Sequence, residues 1–249
     1  MRKKYARSDE SVDQPKIVFI VPSYNIEKNI PALIKSIKDQ DYNNWSCIII
    51  DDISSDGTWN LLQETLKDDE AFSIIKNSDK KYALKNIIEH ARKFENDEAI
   101  IAVIDGDDSL CNSNAASILA GAYGRGNDVV WTAHRWDTNG MNISGPIPNE
   151  VNPYFWTWKS SHLRTFRSSL LRKVSDKNFQ DRKGNWFKRG YDQALMLPLM
   201  YVASQHEYVP EVCYLYNIDS SSIPAEERNW CEREQISTIN FVRARGFVN

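Results

Sequence analysis

From residue 16 onward, short apolar runs alternate with amphipathic stretches. Lys16–Val21 (KIVFIV) is a β-branched run halted by Pro22, which predicts a strand buried on both faces. Ile26–Lys38 carries Ile30, Leu33, Ile34 and Ile37 at helical spacing. The same reading predicts a strand at Trp45–Ile50, a helix at Thr58–Leu66 with Leu61, Leu62 and Leu66 to one side, and a short strand at Phe72–Lys76. A helix at Tyr82–Phe94 turns Leu84, Ile87, Ile88 and Ala91 inward, and a buried strand follows at Ala99–Ile104. Then come a helix at Asn112–Tyr123, ending at Gly124, and a strand at Asp128–Ala133. Strands that alternate with helices and are apolar on both faces predict an α/β fold. Its sheet would be mostly parallel, Rossmann-like and flanked by helices.

The second half reads differently. Thr138–Trp158 is rich in Asn, Gly, Pro and aromatics and reads as a long functional loop. Thr165–Val174 predicts a strand running into a helix, Tyr191–Ala203 a helix, and Glu207–Asn217 one or two strands. Glu226–Arg245 predicts a C-terminal amphipathic helix that packs through Trp230, Ile236, Ile239 and Val242. Residues 1–15 are polar and read as a loose arm, and 16–249 as a single domain.

Composition narrows the classes. Hydrophobic residues make up 41% and charged residues 26% of the 249, so most of the chain is not disordered. A net charge of -3 offers no field for nucleic acid. The longest apolar run, Ala99–Ile104, is far short of the roughly 20 residues of a membrane span. No apolar segment follows the basic N-terminus, so the reading is cytoplasmic. The cluster Arg2, Lys3, Lys4, Arg7 is either a solvated tail or a contact for an anionic membrane surface. Cys47, Cys111, Cys213 and Cys231 are far apart and read as reduced thiols. Oligomeric state stays open.

In open α/β sheets ligands bind beyond the carboxyl ends of the strands. Pro22-Ser23-Tyr24-Asn25 follows the first strand, Asp51-Asp52 the second, and Asp105-Gly106-Asp107-Asp108 the strand at Ala99–Ile104. Gathering carboxylates on one edge costs Coulomb energy unless a cation or hydrogen-bond donors compensate. Asp105 and Asp107, two apart on extended chain, can reach one Mg²⁺ or Mn²⁺ that also takes substrate phosphates. Gly106 permits close approach to the backbone. An Asp at 51 or 52 can accept from a base N–H or a ribose hydroxyl. The competing readings are a solvated acidic turn, and capping of the next helix by Ser54, Ser55 or Asp56.

In order, KIVFIVPSYN, DQDYNNWSCIIIDDISSDGT and AIIAVIDGDD resemble the opening segments of family-2-type glycosyltransferases of the GT-A fold. The resemblance covers residues 16–110 well and continues more loosely to about 200. It implies a GT-A-like domain with acceptor-side loops and a C-terminal helix. Residues 16–110 would form the nucleotide-sugar half, 111–225 the acceptor and catalytic half, and 226–249 the helix. It implies that Pro22, Ser23 and Tyr24 line the nucleotide pocket and that Asp52, with Asp51, reads base or ribose. Lys85-Asn86 stands where the family has Arg-Asn near the donor. Asp105 and Asp107 match the metal-binding DxD, and Asp192 matches the catalytic base, with Tyr191 in place of the common Glu. The family's Gly after the paired Asp is Ile53 here, and the QxxRW motif of processive synthases is absent.

The activity implied is metal-dependent, inverting transfer of one sugar from a nucleotide-sugar, by default a UDP-sugar, to a glycan or glycoconjugate hydroxyl. His162 is a candidate third metal ligand, and Arg164 a partner for donor phosphate. A structural histidine is the plainer reading of His162, and an N-cap that of Asp192. Tyr154, Phe155, Trp156, Trp158 and Trp186 are candidate acceptor contacts, as is His134-Arg135-Trp136. Two rivals remain: a sugar-phosphate nucleotidyltransferase, which would carry a Gly-rich basic loop after the first strand, and a non-catalytic nucleotide- or glycan-binding module.

Overall fold

The computed structural model describes residues 14–218 and 228–249. The basic cluster at Arg2–Arg7, nearly all of the expected N-terminal arm, and the expected helix start at Glu226 lie outside the described residues. The strands are β1 (Ile17–Ser23), β2 (Trp45–Asp51), β3 (Phe72–Lys76), β4 (Ile100–Val103), β5 (Ser109–Leu110), β6 (Val129–Trp136), β7 (Arg164–Arg167) and β8 (His206–Tyr216). The helices are α1 (Ile30–Lys38), α2 (Thr58–Leu66), α3 (Tyr82–Ala91), α4 (Ala115–Gly124), α5 (Tyr191–Val202) and α6 (Arg228–Arg245).

One sheet, ordered β3-β2-β1-β4-β7-β6-β8-β5, runs through both halves of the chain. Its β3-β2-β1-β4 block is parallel, as the alternation predicts. β7 then enters antiparallel between β4 and β6, β8 runs parallel to β6, and β5 closes antiparallel on β8. The alternation along β1 explains why apolar residues occupy successive positions. Ile17, Phe19 and Val21 meet Ile30, Leu33, Leu62 and Leu119 on one side. Val18 and Ile20 meet Leu84, Ile87, Leu195 and Leu199 on the other. Each face is covered by helices, so neither can be polar.

Several boundaries depart from the sequence pattern. α1 begins at Ile30, not Ile26, because Asn25 takes a left-handed φ of 53° and Pro31 sets the first helical turn. After β7 the chain forms a 3-10 turn at Ser168–Lys173 instead of the expected helix. Ser168 is pinned through its N–H to Ala99 O and its hydroxyl to Phe94 O, and Arg92 takes the carbonyls of Leu171 and Val174, so the segment is held by its neighbours and not by an α-helical ladder. β5 is two residues long, too short for periodicity to show. β8 is one strand whose register against β6 shifts around Ala133.

α6 corrects its expected face in part. Val242 is buried and Ile239 lies against Gly190 as expected, but Cys231 and Thr238 complete the buried face, and Trp230 and Ile236 are exposed. The reason is Gly190, before α5, with φ 66°. A Cβ there would lie 2.9 Å from Gln235 O and 3.3 Å from Thr238 Cβ, so the helix presses closely against glycine.

Ile53, standing where the family has Gly, adopts φ 63° with its side chain 39% exposed. The left-handed region costs a β-branched residue roughly 1–2 kcal/mol. Glycine's extra unfolded-state entropy offsets part of that gain. Ile53→Gly is therefore expected to stabilise the protein by roughly 0.5–1 kcal/mol, about 1–4 °C in Tm. A lower Tm by thermal denaturation would show that Ile53 packing outweighs the strain.

Candidate active site

The carboxyl ends of β1, β2 and β4 are tied to one another. Asp52 N donates to Ser23 O at 2.8 Å, and Gly106 N donates to Pro22 O at 3.2 Å. A Cβ on Gly106 would stand 2.9 Å from Ser23 Oγ, so the close approach expected of this glycine is to the end of β1. Pro22 and Ser23 form the buried floor between the two acidic segments.

On the β2 side, Asp52 is nearly enclosed. Its carboxylate accepts from Lys81 N (2.8 Å), Tyr82 N (2.8 Å) and Asn77 Nδ2 (2.7 Å). It thereby caps the N-terminus of α3, whose first N–H groups lack partners within the helix. Asp51 is fully buried; its Oδ1 accepts from Ser54 N, while Oδ2 has no hydrogen-bond partner. Asp56 Oδ1 accepts from Thr58 N, so it does serve the start of α2. Asn86 is buried, taking a bond from Asn77 and leaving its Nδ2 unpaired. Lys85 pairs with Glu89 along the helix. The cation beside Asp52 is Lys80 instead, 3.7 Å from its Oδ2 and resting on the Tyr24 ring. Burial pushes the Lys80 ammonium down to about 8; Asp52 and Asp51 pull the other way, and Arg189 adds to the push.

On the β4 side, Asp105 receives Arg164 Nη2 on both oxygens at 3.1 Å, and the Tyr191 hydroxyl on Oδ1. Arg164, read from the sequence as a donor contact, is buried and used by this carboxylate and by Tyr191 Oη at 2.9 Å. Asp108 is buried, accepting from Tyr214 Oη (2.7 Å) and Asn217 N (2.8 Å). Burial, then the charges of Asp105 and Asp107, hold its carboxyl well above the usual carboxylate range. The Asp107 backbone carbonyl accepts from Asn29 and Asn217.

His162 lies stacked on Tyr214 (4.6 Å between ring centroids) and Tyr216 (5.0 Å). Its Nδ1 is buried without a partner, 4.0 Å from Asp105 Oδ2. Burial, with Arg164 and His134 nearby, keeps the ring far below its ordinary pKa, hence neutral. Ligand atoms of Asp105, Asp108 and His162 all fall within 4.8 Å of one another. The sequence reading paired Asp105 with Asp107; the structure places Asp108 in this group.

Asp192 sits in the first turn of α5, and Gly190 occupies the N-cap. Burial raises its carboxyl above the usual range; Arg164 and the Gln193 N–H oppose that. The aromatic candidates divide. Tyr154 is buried and Trp186 stacks on Phe179, so both pack. Phe155 is 82% exposed and Trp156 is also exposed, while Arg243 anchors the backbone carbonyls of Tyr154 and Trp156. His134 is buried against His162, with Nδ1 on Ser144.

Sequence reasoning missed Lys80, Tyr214, Tyr216 and Asn217. The alternation in Tyr214-Leu215-Tyr216 places both rings on one face of a strand, a signal that becomes useful only once β8 is known to end beside Asp108.

Glycosyl transferase family 2 matches residues 18–180. The chain belongs to this family. It is 34% identical over 98 residues to TuaG of Bacillus subtilis (strain 168), a candidate teichuronic acid biosynthesis glycosyltransferase, covering 38% of this chain and 37% of that one. It is 29% identical over 105 residues to the GalNAc(5)-diNAcBac-PP-undecaprenol beta-1,3-glucosyltransferase of Campylobacter jejuni, covering 42% and 34%. The matched stretches thus span little more than a third of either relative. S. aureus TarS 1-349, solved in complex with UDP, superposes with a TM-score of 0.70 at 18% identity, covering 92% of this chain and 64% of that one. That likeness shows the fold, and it is the GT-A fold expected from the sequence. The family match stops before α5. Asp192 is brought to the strand ends by the fold, through the contact of Tyr191 with Asp105.

Proposed function

We propose that this chain is a metal-dependent, inverting glycosyltransferase. It would move one sugar from a UDP-sugar to a hydroxyl of a glycan or glycoconjugate, with Asp192 as base. The observation that carries this reading is the convergence of Asp105, Asp108 and His162 with the helix bearing Asp192, through Arg164 and Tyr191. UDP in TarS supports the nucleotide, and the undecaprenol-linked substrate in the name of the C. jejuni relative supports a glycoconjugate acceptor and a place beside a membrane. Among the described residues no helix is long and apolar enough to cross one.

The residues fit a divalent cation. Two carboxylates and a neutral imidazole with a buried, unpaired Nδ1 make an O,O,N donor set suited to Mn²⁺ or Mg²⁺. Asp105, Asp108 and His162 would hold it, with Asp107 adjoining. When bound, it would supply positive charge for the diphosphate leaving group. Asp192 would accept the proton of the acceptor hydroxyl as that oxygen bonds to the anomeric carbon. The bond from that carbon to the phosphate oxygen breaks, and its electron pair leaves with the nucleoside diphosphate. Asp is a weak base, but the hydroxyl becomes acidic as its oxygen attacks, so proton transfer is needed only late. Asp51 and Asp52, buried and holding Ser54 N and the start of α3, would shape the base and ribose pocket from beneath instead of binding them directly.

Melting with UDP, GDP, dTDP or CMP, each with and without Mn²⁺, tests this reading. A selective ligand at about 100 times its Kd adds about 2.7 kcal/mol. For a domain of this size that is roughly 5–10 °C. The expected result is such a shift for UDP, present with Mn²⁺ and lost with EDTA. No shift with any nucleotide would overturn the transferase reading in favour of a different role for the fold.

A further inference from the structure

Three cations gather at the rim between the β2 and β4 halves of the site. Lys80 and Lys188 lie 5.9 and 5.3 Å from the centre of the same Tyr82 ring. Arg189 is close enough for its charge to act on Lys80, and its guanidinium lies over Trp230. Asp52 partners Lys80, but among the described residues no carboxylate lies within 4.0 Å of Lys188 or Arg189. The Nε of Arg189 is buried with no hydrogen-bond partner.

Like charges crowded together repel, and an unpaired buried guanidinium N–H loses its water without replacement. An anion seated among these groups would relieve the repulsion and give the Arg189 Nε–H a partner. The cluster's position says which one. Lys188 meets Tyr82, at the α3 terminus capped by Asp52, and three residues later Tyr191 meets Asp105. Residues 188–191 therefore form a strap from the Asp52 end of the site to the Asp105 end. On the proposed reading, a donor's diphosphate runs between those same two ends.

We propose that Lys80, Lys188 and Arg189 form a phosphate-binding rim that grips the diphosphate of the nucleotide donor from the side opposite the Asp105–Asp108–His162 group. Arg189 supplies a planar, multi-donor contact and the two lysines supply point charges. Burial, with the Arg189 charge adding to it, disfavours the protonated form of Lys80, and an anion there would favour it. This inference rests on the transferase reading, and it adds a second source of charge for the leaving group that belongs to the chain itself.

Isothermal titration of the full chain with UDP, uridine and inorganic pyrophosphate, in Mn²⁺, tests it. Lys188→Ala/Arg189→Ala is expected to weaken UDP and pyrophosphate about 10- to 100-fold and to leave uridine unchanged. Arg189→Lys with Lys188 intact should recover only part of the affinity, since it restores the charge and not the planar multi-donor contact. Circular dichroism and Tm of the free variants check that they are folded, and Lys80→Met provides an independent variant expected to weaken UDP in the same direction. UDP affinity within twofold of wild type in both variants would overturn the rim while leaving the transferase reading in place. Pyrophosphate lost with UDP unchanged would reassign the rim to a phosphate of the acceptor, against the proposal. Failure of the wild-type chain to bind UDP would instead remove the reading on which the rim depends.

Discussion

Asp192→Asn is expected to lower sugar transfer roughly 10²- to 10⁴-fold, the range supplied by a positioned general base. Nucleotide binding should stay unchanged, since Asp192 is assigned to the acceptor and not to the donor. The substitution keeps size and removes only the ability to take a proton. Burial already raises the Asp192 carboxyl above the usual carboxylate range. The base works only when ionised, so activity should fall as pH drops through this raised pKa. The acid limb of kcat should thus lie above that of an exposed Asp. In the Asn variant the residual rate should lose this limb. Transfer by Asp192→Asn within tenfold of wild type would remove Asp192 from the mechanism and return it to a first-turn structural role in α5.

Arg164→Met should be the most destabilising change at the site, costing about 3–5 kcal/mol, the range for removing one partner of a buried ion pair. Its guanidinium is buried and bridges both Asp105 oxygens and Tyr191 Oη. Methionine matches the aliphatic volume but leaves the part-buried Asp105 carboxylate without its guanidinium partner, beside Asp108. Urea denaturation reads the loss directly. Arg164→Lys should recover part of it: one nitrogen, Nη2, makes all three contacts, and an ammonium restores the charge and donors on a shorter side chain. A loss below about 1 kcal/mol would mean that water or Asp105 rearrangement already satisfies the pair. Because Arg164 also acts on Asp192, the variant should shift the acid limb upward, opposite to the present pull of its charge.

Local chemistry was enough to mark out the first half of the chain. The β-branched runs at Ile17–Ser23, Trp45–Asp51 and Ile100–Val103 can be satisfied only between two helical layers. That makes the parallel block, the acidic strand ends and the family legible in the sequence alone. Ile53 was visible as a departure, and the backbone at that position shows why glycine is usual there. What the pattern could not carry was long-range pairing. The antiparallel insertion of β7, and the docking of β5 against β8, depend on contacts between residues far apart in the chain. Those contacts decide that Asp108 joins Asp105 and His162, that Tyr214 and Tyr216 clasp the imidazole, and that Arg164 is used by Asp105. Packing of the segment before α3 likewise sets Lys80 beside Asp52, while Lys85 pairs with Glu89. Residue type and spacing fix which groups are able to do chemistry. Which of them meet is decided by packing, because a side chain's partner is set by the neighbouring strand or helix and not by its own segment.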